Sequence, residues 1–167
     1  LYFSWEVPDQ EELLSNGTIK RKKIKVPDHL SFVQSSKQAF YFVERIRLED
    51  YSLTSNDWIV AYNNGIIVGA RKWNGRYTDI PVMGDDGTSA TIGYCRVGDI
   101  PTFKLFSDET GDFIELNSNS TINSWTDLGI NILNQLNESV IIPEHFEFAY
   151  PYPNPFNPST LIKFALP

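Results

Sequence analysis

Apolar and polar residues alternate with a period of two along most of this chain. Leu1, Phe3, Trp5 and Val7 share one parity against Tyr2, Ser4 and Glu6, which predicts a strand with one buried face. From Ala39 the pattern sharpens. Phe40, Phe42, Ile46 and Leu48 lie on one parity and Tyr41, Val43, Arg45 and Arg47 on the other. Trp58 to Tyr62 and Ile66 to Ala70 flank Asn63-Asn64-Gly65, a β-hairpin signature with a tight Asn/Gly turn. Thr91 to Cys95 and Thr102 to Phe106 read as further strands around the turn cluster Gly98-Asp99-Ile100-Pro101, and Phe113 to Leu116 as a short one. Trp125 to Leu133 fits strand or helix, and Val140-Ile141-Ile142 is a short apolar run ended by Pro143. Asp9 to Leu14 reads as one helical turn with Asp9 as its cap. Lys20-Arg21-Lys22-Lys23 reads as an edge strand kept soluble by its charge, or as a patch for an anionic ligand.

Many short strands separated by Gly, Pro, Asn and Asp turns predict an all-β fold, an antiparallel β-sandwich of immunoglobulin- or cohesin-like jelly-roll type. Its core is expected to hold Phe40, Phe42, Ile46, Trp58, Val60, Ile67, Tyr94, Phe103 and Leu105. Residues 1–149 form the sandwich module. Residues 150–167 form a Pro-rich extension, because the prolines at 151, 153, 155 and 158 suit neither a helix nor a central strand. Ile162, Phe164 and Leu166 then alternate as one more strand.

Composition narrows the function. The 167 residues carry 14 Lys+Arg against 21 Asp+Glu, a formal net charge of −7. This argues against nucleic acid as a partner, which calls for a broad basic face. No run of 18 apolar residues suggests a transmembrane helix. One Cys excludes an internal disulfide, and two His, at 29 and 145, disfavour a His-rich metal site and most triad hydrolases. Both His sit beside a carboxylate just after a Pro and read as loop residues. No catalytic constellation stands out, so the chain is read as a non-enzyme that requires no cofactor.

The tail carries the most specific signal. Pro153-Asn154-Pro155-Phe156-Asn157-Pro158, preceded by Tyr152 and followed by Ser159-Thr160 and an Ile-Lys-Phe-Ala-Leu-Pro strand, resembles the opening of the C-terminal sorting domain of the type IX (Por) secretion system. Sorting domains of this kind continue for several more strands, whereas this sequence holds the first alone. The resemblance implies the type IX secretion machinery as a partner, export across the outer membrane of a Gram-negative-type bacterium, and a cell-surface or released product. The opening strand then reads as a mature N-terminus. Residues 57–106, with Asp57-Trp58-Ile59-Val60-Ala61-Tyr62 and Gly98-Asp99-Ile100-Pro101-Thr102-Phe103-Lys104-Leu105-Phe106, are similar to cohesin-like sandwiches of large secreted proteins.

Four groups of residues are candidates for function. Asp79, Asp85 and Asp86, with Gly84 and Gly87, offer oxygen ligands of the kind calcium takes, or form a solvated turn. Asp108, Glu109 and Asp112 around Gly111 read as a hairpin turn rather than as an acid–base pair. Trp73 and Tyr77 are aromatics that stack on a glycan or pack the end of the sandwich. The terminal strands, Leu1, Phe3, Trp5 and Val7 and Ile162, Phe164 and Leu166, are candidates for self-association by strand addition, which would give a homopolymer. The expected function is that of an extracellular structural module, a surface or filament subunit. The alternative is a module that binds a carbohydrate or a surface protein.

Overall fold

The computed structural model describes residues 25–139 in full and, beyond them, the backbone of four short strand segments. Two of these, β1 (Gln10–Leu13) and β2 (Ile19–Lys22), pair antiparallel, with Gln10 opposite Lys22 and Leu13 opposite Ile19. The segment expected to make a helical turn is therefore a strand from Gln10 to Leu13. The lone capping signal at Asp9 yields to cross-strand pairing, because a single turn fixes several dihedral angles for one hydrogen bond. Lys20, Arg21 and Lys22 of the basic run lie in a two-stranded sheet, where every strand is an edge. Strand Leu1–Val7 and the run Val140–Ile142 lie outside the described residues.

The body is an all-β sandwich of two mixed sheets. The smaller sheet has the order β10-β3-β7, built from Ile130–Leu133, Gln38–Val43 and Thr78–Met83. The larger has the order β4-β11-β9-β8-β5-β6, built from Ile46–Arg47, Leu136–Glu138, Phe113–Ser118, Thr102–Phe106, Trp58–Asn63 and Ile66–Lys72. Most neighbours are antiparallel, but β10 runs parallel to β3 and β11 parallel to β4. The tail strand β13 (Phe164–Ala165) pairs antiparallel with β12 (Glu147–Phe148).

The β5–β6 hairpin forms as its sequence dictates. Asn64 and Gly65 have φ of 49° and 82°, the two positive values that a type I′ turn requires and that match the twist of the flanking strands. Strand β5 is apolar without alternation because both of its faces are covered. Ile59 and Ala61 join the inter-sheet core, whereas Trp58 and Val60 pack with Leu30, Ala70 and Phe106 in a second cluster on the outer side. The segment around the 3-10 turn Asp28–Leu30 caps that second cluster, with Val26 and Phe32 packed against it.

Five of the expected core residues (Trp58, Val60, Tyr94, Phe103 and Leu105) are buried, and Ile46 and Ile67 are half-buried against the two clusters. Phe40 and Phe42 depart from expectation. Ala39, Tyr41 and Val43 are the fully buried residues of β3, which leaves both phenylalanines half-buried on the opposite face. Both parities of this strand are apolar, so alternation alone could not choose between them, and a one-residue shift exchanges the faces. Tyr41 suits the interior because its ring packs 5.6 Å from that of Phe103 and its hydroxyl donates to the Asn123 carbonyl at 3.0 Å. Burial holds that hydroxyl well above the usual tyrosine range.

Thr91 to Cys95 also departs from expectation, since the 3-10 turn Ser89–Thr91 and Gly93, at φ 85°, replace the predicted strand. Only Cys95 bridges to Gly84. Trp125 to Leu133 resolves into a loop and strand β10. Trp125 itself is buried. Its Nε1 donates to the Val82 carbonyl at 3.0 Å, and its ring lies where any Cβ on Gly84 would fall, 2.4 Å away.

The two sheets meet most closely where β6 passes β7. A Cβ on Gly69 would lie 1.8 Å from the Pro81 carbonyl oxygen, so Gly69→Ala must push the sheets apart. We expect it to lower stability by about 3 kcal/mol or more in urea unfolding. Asn131 Nδ2 is buried and has no hydrogen-bond partner among the described residues. Because an unsatisfied buried donor costs about 1–3 kcal/mol, Asn131→Leu is expected to raise the melting temperature, and a fall would show that the amide is satisfied.

Candidate functional site

The acidic loop after β7 is held by its own side chains. The Asp86 Oδ1 accepts from the hydroxyls of Thr91 (2.7 Å) and Thr88 (2.8 Å) and from the Thr88 N–H (3.1 Å), and its Oδ2 accepts from the Ser36 N–H (3.2 Å). Asp85 Oδ2 accepts from Arg96 Nε (3.0 Å) and Nη2 (2.7 Å), and its Oδ1 accepts from the Gly87 N–H (2.9 Å). Gly87 takes φ 87° to close this turn. The two threonine hydroxyls, and then the backbone donors, hold Asp86 well below the usual carboxylate range. Arg96 and the Gly87 N–H lower Asp85.

Asp79 belongs to a different part of the molecule. Arg71, buried on β6, donates from Nε to the Asp79 carbonyl (2.8 Å) and from Nη2 to its carboxylate (2.6 Å). This fork ties the larger sheet to the smaller. The expected trio is thus divided, and among the described residues no three His, Cys, Asp or Glu side chains group in a way that could hold a metal ion. The oxygens that made the loop a calcium candidate are occupied by protein donors.

An open depression of about 420 Å³ lies beside the loop, bordered by Lys37, Asp85, Asp86, Arg96, Trp125 and Asp127 among others. At its base Cys95 is buried, and its thiol is pushed up to about 12, first by burial and then by the charge of Asp99. That is the environment of a packing residue rather than of a nucleophile.

The aromatic pair is split in the same way. Trp73 is half-buried against the core, while Tyr77 is half-exposed at φ 63° with the Arg76 guanidinium 5.4 Å from its ring centre. The Asp108-Glu109-Thr110-Gly111-Asp112 turn is exposed and links β8 to β9, with the Gly111 N–H donating to the Ser107 carbonyl at 2.9 Å. His29 is exposed, and its ring packs 4.7 Å from that of Phe106. His145 and the export motif Pro153 to Pro158 lie outside the described residues.

Three features escaped the sequence reading. The first is Asp57, fully buried, which accepts from Tyr51 Oη (2.8 Å), Thr54 N (2.6 Å) and Asp108 N (3.1 Å), and so pins two loops to the start of β5. The Thr54-Ser55-Asn56-Asp57 turn preceding a strand was its signal. The second is a polar cleft of about 410 Å³ among Arg47, Glu49, Asn119, Gln135, Asn137 and Glu138. There Gln135 Nε2 donates to Asn137 Oδ1 (2.6 Å), and Asn137 Nδ2 donates to Asn119 Oδ1 (2.8 Å). Those residues come from β4, β11 and the loops beside them, far apart in sequence. The third is an apolar stripe: Leu128, Ile130 and Ile132 are 75 %, 73 % and 60 % exposed on and beside the edge strand β10. Its signal was the alternation of positions 128 to 132, hidden by the strand–helix ambiguity of that segment.

Comparison with protein-family models, with curated proteins and with solved structures gives no match.

Acid should weaken the loop. A carboxyl whose pKa is lower in the folded than in the unfolded chain adds stability above the unfolded value, about 4 for Asp, and that stability is lost as the pH falls toward the folded value. Melting temperature is therefore expected to fall below about pH 4, and Asp86→Asn should start from a lower value at pH 7 and show a shallower fall. A parallel acid profile for the two proteins would remove Asp86 from the account. Cys95 is expected to resist alkylation in the folded protein at pH 8 and to react at once in urea.

Proposed function

We propose that this chain is a non-catalytic extracellular structural module, a cell-surface or filament subunit exported by a type IX-like pathway and assembled through strand addition. The observation that carries this reading is the exposed apolar stripe Leu128-Ile130-Ile132 on and beside the edge strand β10. Soluble domains seldom leave such a stripe on a sheet edge unless another surface covers it. Export draws its support from the Pro153 to Pro158 motif in the tail. The non-catalytic part draws its support from the buried charges. Asp57 and Arg71 are fully engaged in tying loops and sheets together, and the acidic loop is saturated by internal donors.

The second reading, a carbohydrate-binding module, is favoured by the amide-lined cleft. Carboxamides, Arg47 and two glutamates offer the paired donors and acceptors that sugar hydroxyls require. Electron microscopy and light scattering of the purified chain, alongside a glycan array, separate the two. Concentration-dependent filaments without glycan binding are expected. Monomers at every concentration that bind glycans, with binding lost in Asn137→Ala, would replace the first reading with the second.

A further inference from the structure

We propose that the open edge of β10 is the acceptor for the strand Leu1–Val7 of a neighbouring copy, an inference that rests on the self-assembly reading above. β10 ends the smaller sheet, with β3 on one side and no strand on the other among the described residues. The Phe40 N–H donates to the Gly129 carbonyl and the Glu44 N–H to the Leu133 carbonyl. Odd-numbered residues of β10 therefore face β3, and the backbone groups of Ile130 and Ile132 face the open edge. The same two residues carry the exposed side chains. In register beside them on β3 stand Phe40 and Phe42, half-buried on the same outer face.

The other three edges of the two sheets are protected. β4 is two residues long and bears exposed Arg47, and the edges β6 and β7 are drawn against each other at the corner of the sandwich. Of these four edges, β10 alone combines, among the described residues, an unpaired backbone with an apolar face, and so it lacks the protections that keep sheet edges from pairing.

An occupant must supply main-chain hydrogen bonds and alternating apolar side chains, which is what a strand adds to an open edge. The sequence holds two terminal segments of that pattern. The tail segment already pairs with Glu147–Phe148 through Phe164 and Ala165. That leaves the alternating segment of Leu1, Phe3, Trp5 and Val7, whose seven residues exceed the four of β10.

A neighbouring copy supplies the strand, in keeping with the self-assembly reading above. Donation from copy to copy in one direction does not close, so it builds a filament.

The test uses the full chain, its Ile130→Lys/Ile132→Lys double variant, a variant lacking residues 1–7, and an Ile92→Lys/Val97→Lys control at two equally exposed apolar positions elsewhere. Light scattering should show assembly of the full chain and of the control, and monomers for the other two. A synthetic peptide of residues 1–7 should raise the melting temperature of the shortened chain but not of that chain carrying the edge substitutions. Assembly that survives the edge substitutions would overturn this inference and leave the structural reading standing. A full chain that stays monomeric at all concentrations would overturn both. So would intramolecular crosslinking of position 5 to position 132 in monomers, which would place the strand in its own chain.

Discussion

The closeness of β6 to β7 at Gly69 and Pro81 is the constraint on which the sandwich depends. These two strands follow one another in sequence yet belong to different sheets. The chain turns the corner only because position 69 has no side chain where the Pro81 carbonyl sits. Pro81 contributes as well, since a proline in β7 has no N–H to offer a further strand. The Arg71–Asp79 fork then closes the corner with charge-assisted hydrogen bonds two residues from the contact on either strand. With β7 fixed there, β3 and β10 follow in register, and Tyr41 reaches Phe103 across the interior.

The C-terminal end of β7 is closed by Trp125. Its indole fills the space that Gly84 leaves open, and its backbone takes part in two loop hydrogen bonds, to Asp99 and from Gly98. A single aromatic thus joins the end of β7, the Cys95–Asp99 loop and the approach to β10. This explains why a residue outside any strand is among the most deeply buried in the protein. The acidic loop lies next to this plug, and its hydrogen bonds hold the same stretch of backbone in place.

Local pattern revealed a large part of this architecture. The Asn64-Gly65 turn, the β8 and β9 strands and most core positions follow from alternation and turn chemistry, which act over a few residues. The misreadings have one cause. In β3 both parities are apolar, so the buried face is chosen by what Tyr41 meets across the interior, a partner 62 positions away in sequence. Thr91 to Cys95 has strand-like composition, but Gly93 adopts a left-handed conformation and turns the chain. Asp79, Asp85 and Asp86 look alike as letters, yet Arg71 claims the first and Arg96 the second, while threonine hydroxyls surround the third. Partners of this kind are set by tertiary proximity and leave little trace in local spacing. The amide cleft was out of reach for the same reason.

The surface carries the remaining information. In the interior, polar groups are matched with few exceptions, and each match binds one loop or sheet to another: Asp57 to two loops, Arg71 across the corner, Trp125 to Val82. Among the described residues, Leu128, Ile130 and Ile132 nevertheless stay exposed on and beside β10, which has no strand on its outer side. Covering them within the fold would take one more strand. The exception inside, Asn131, lies on that same strand. Among the described residues the edge of β10 therefore combines unpaired backbone with exposed apolar side chains, and on the reading proposed above assembly would cover both.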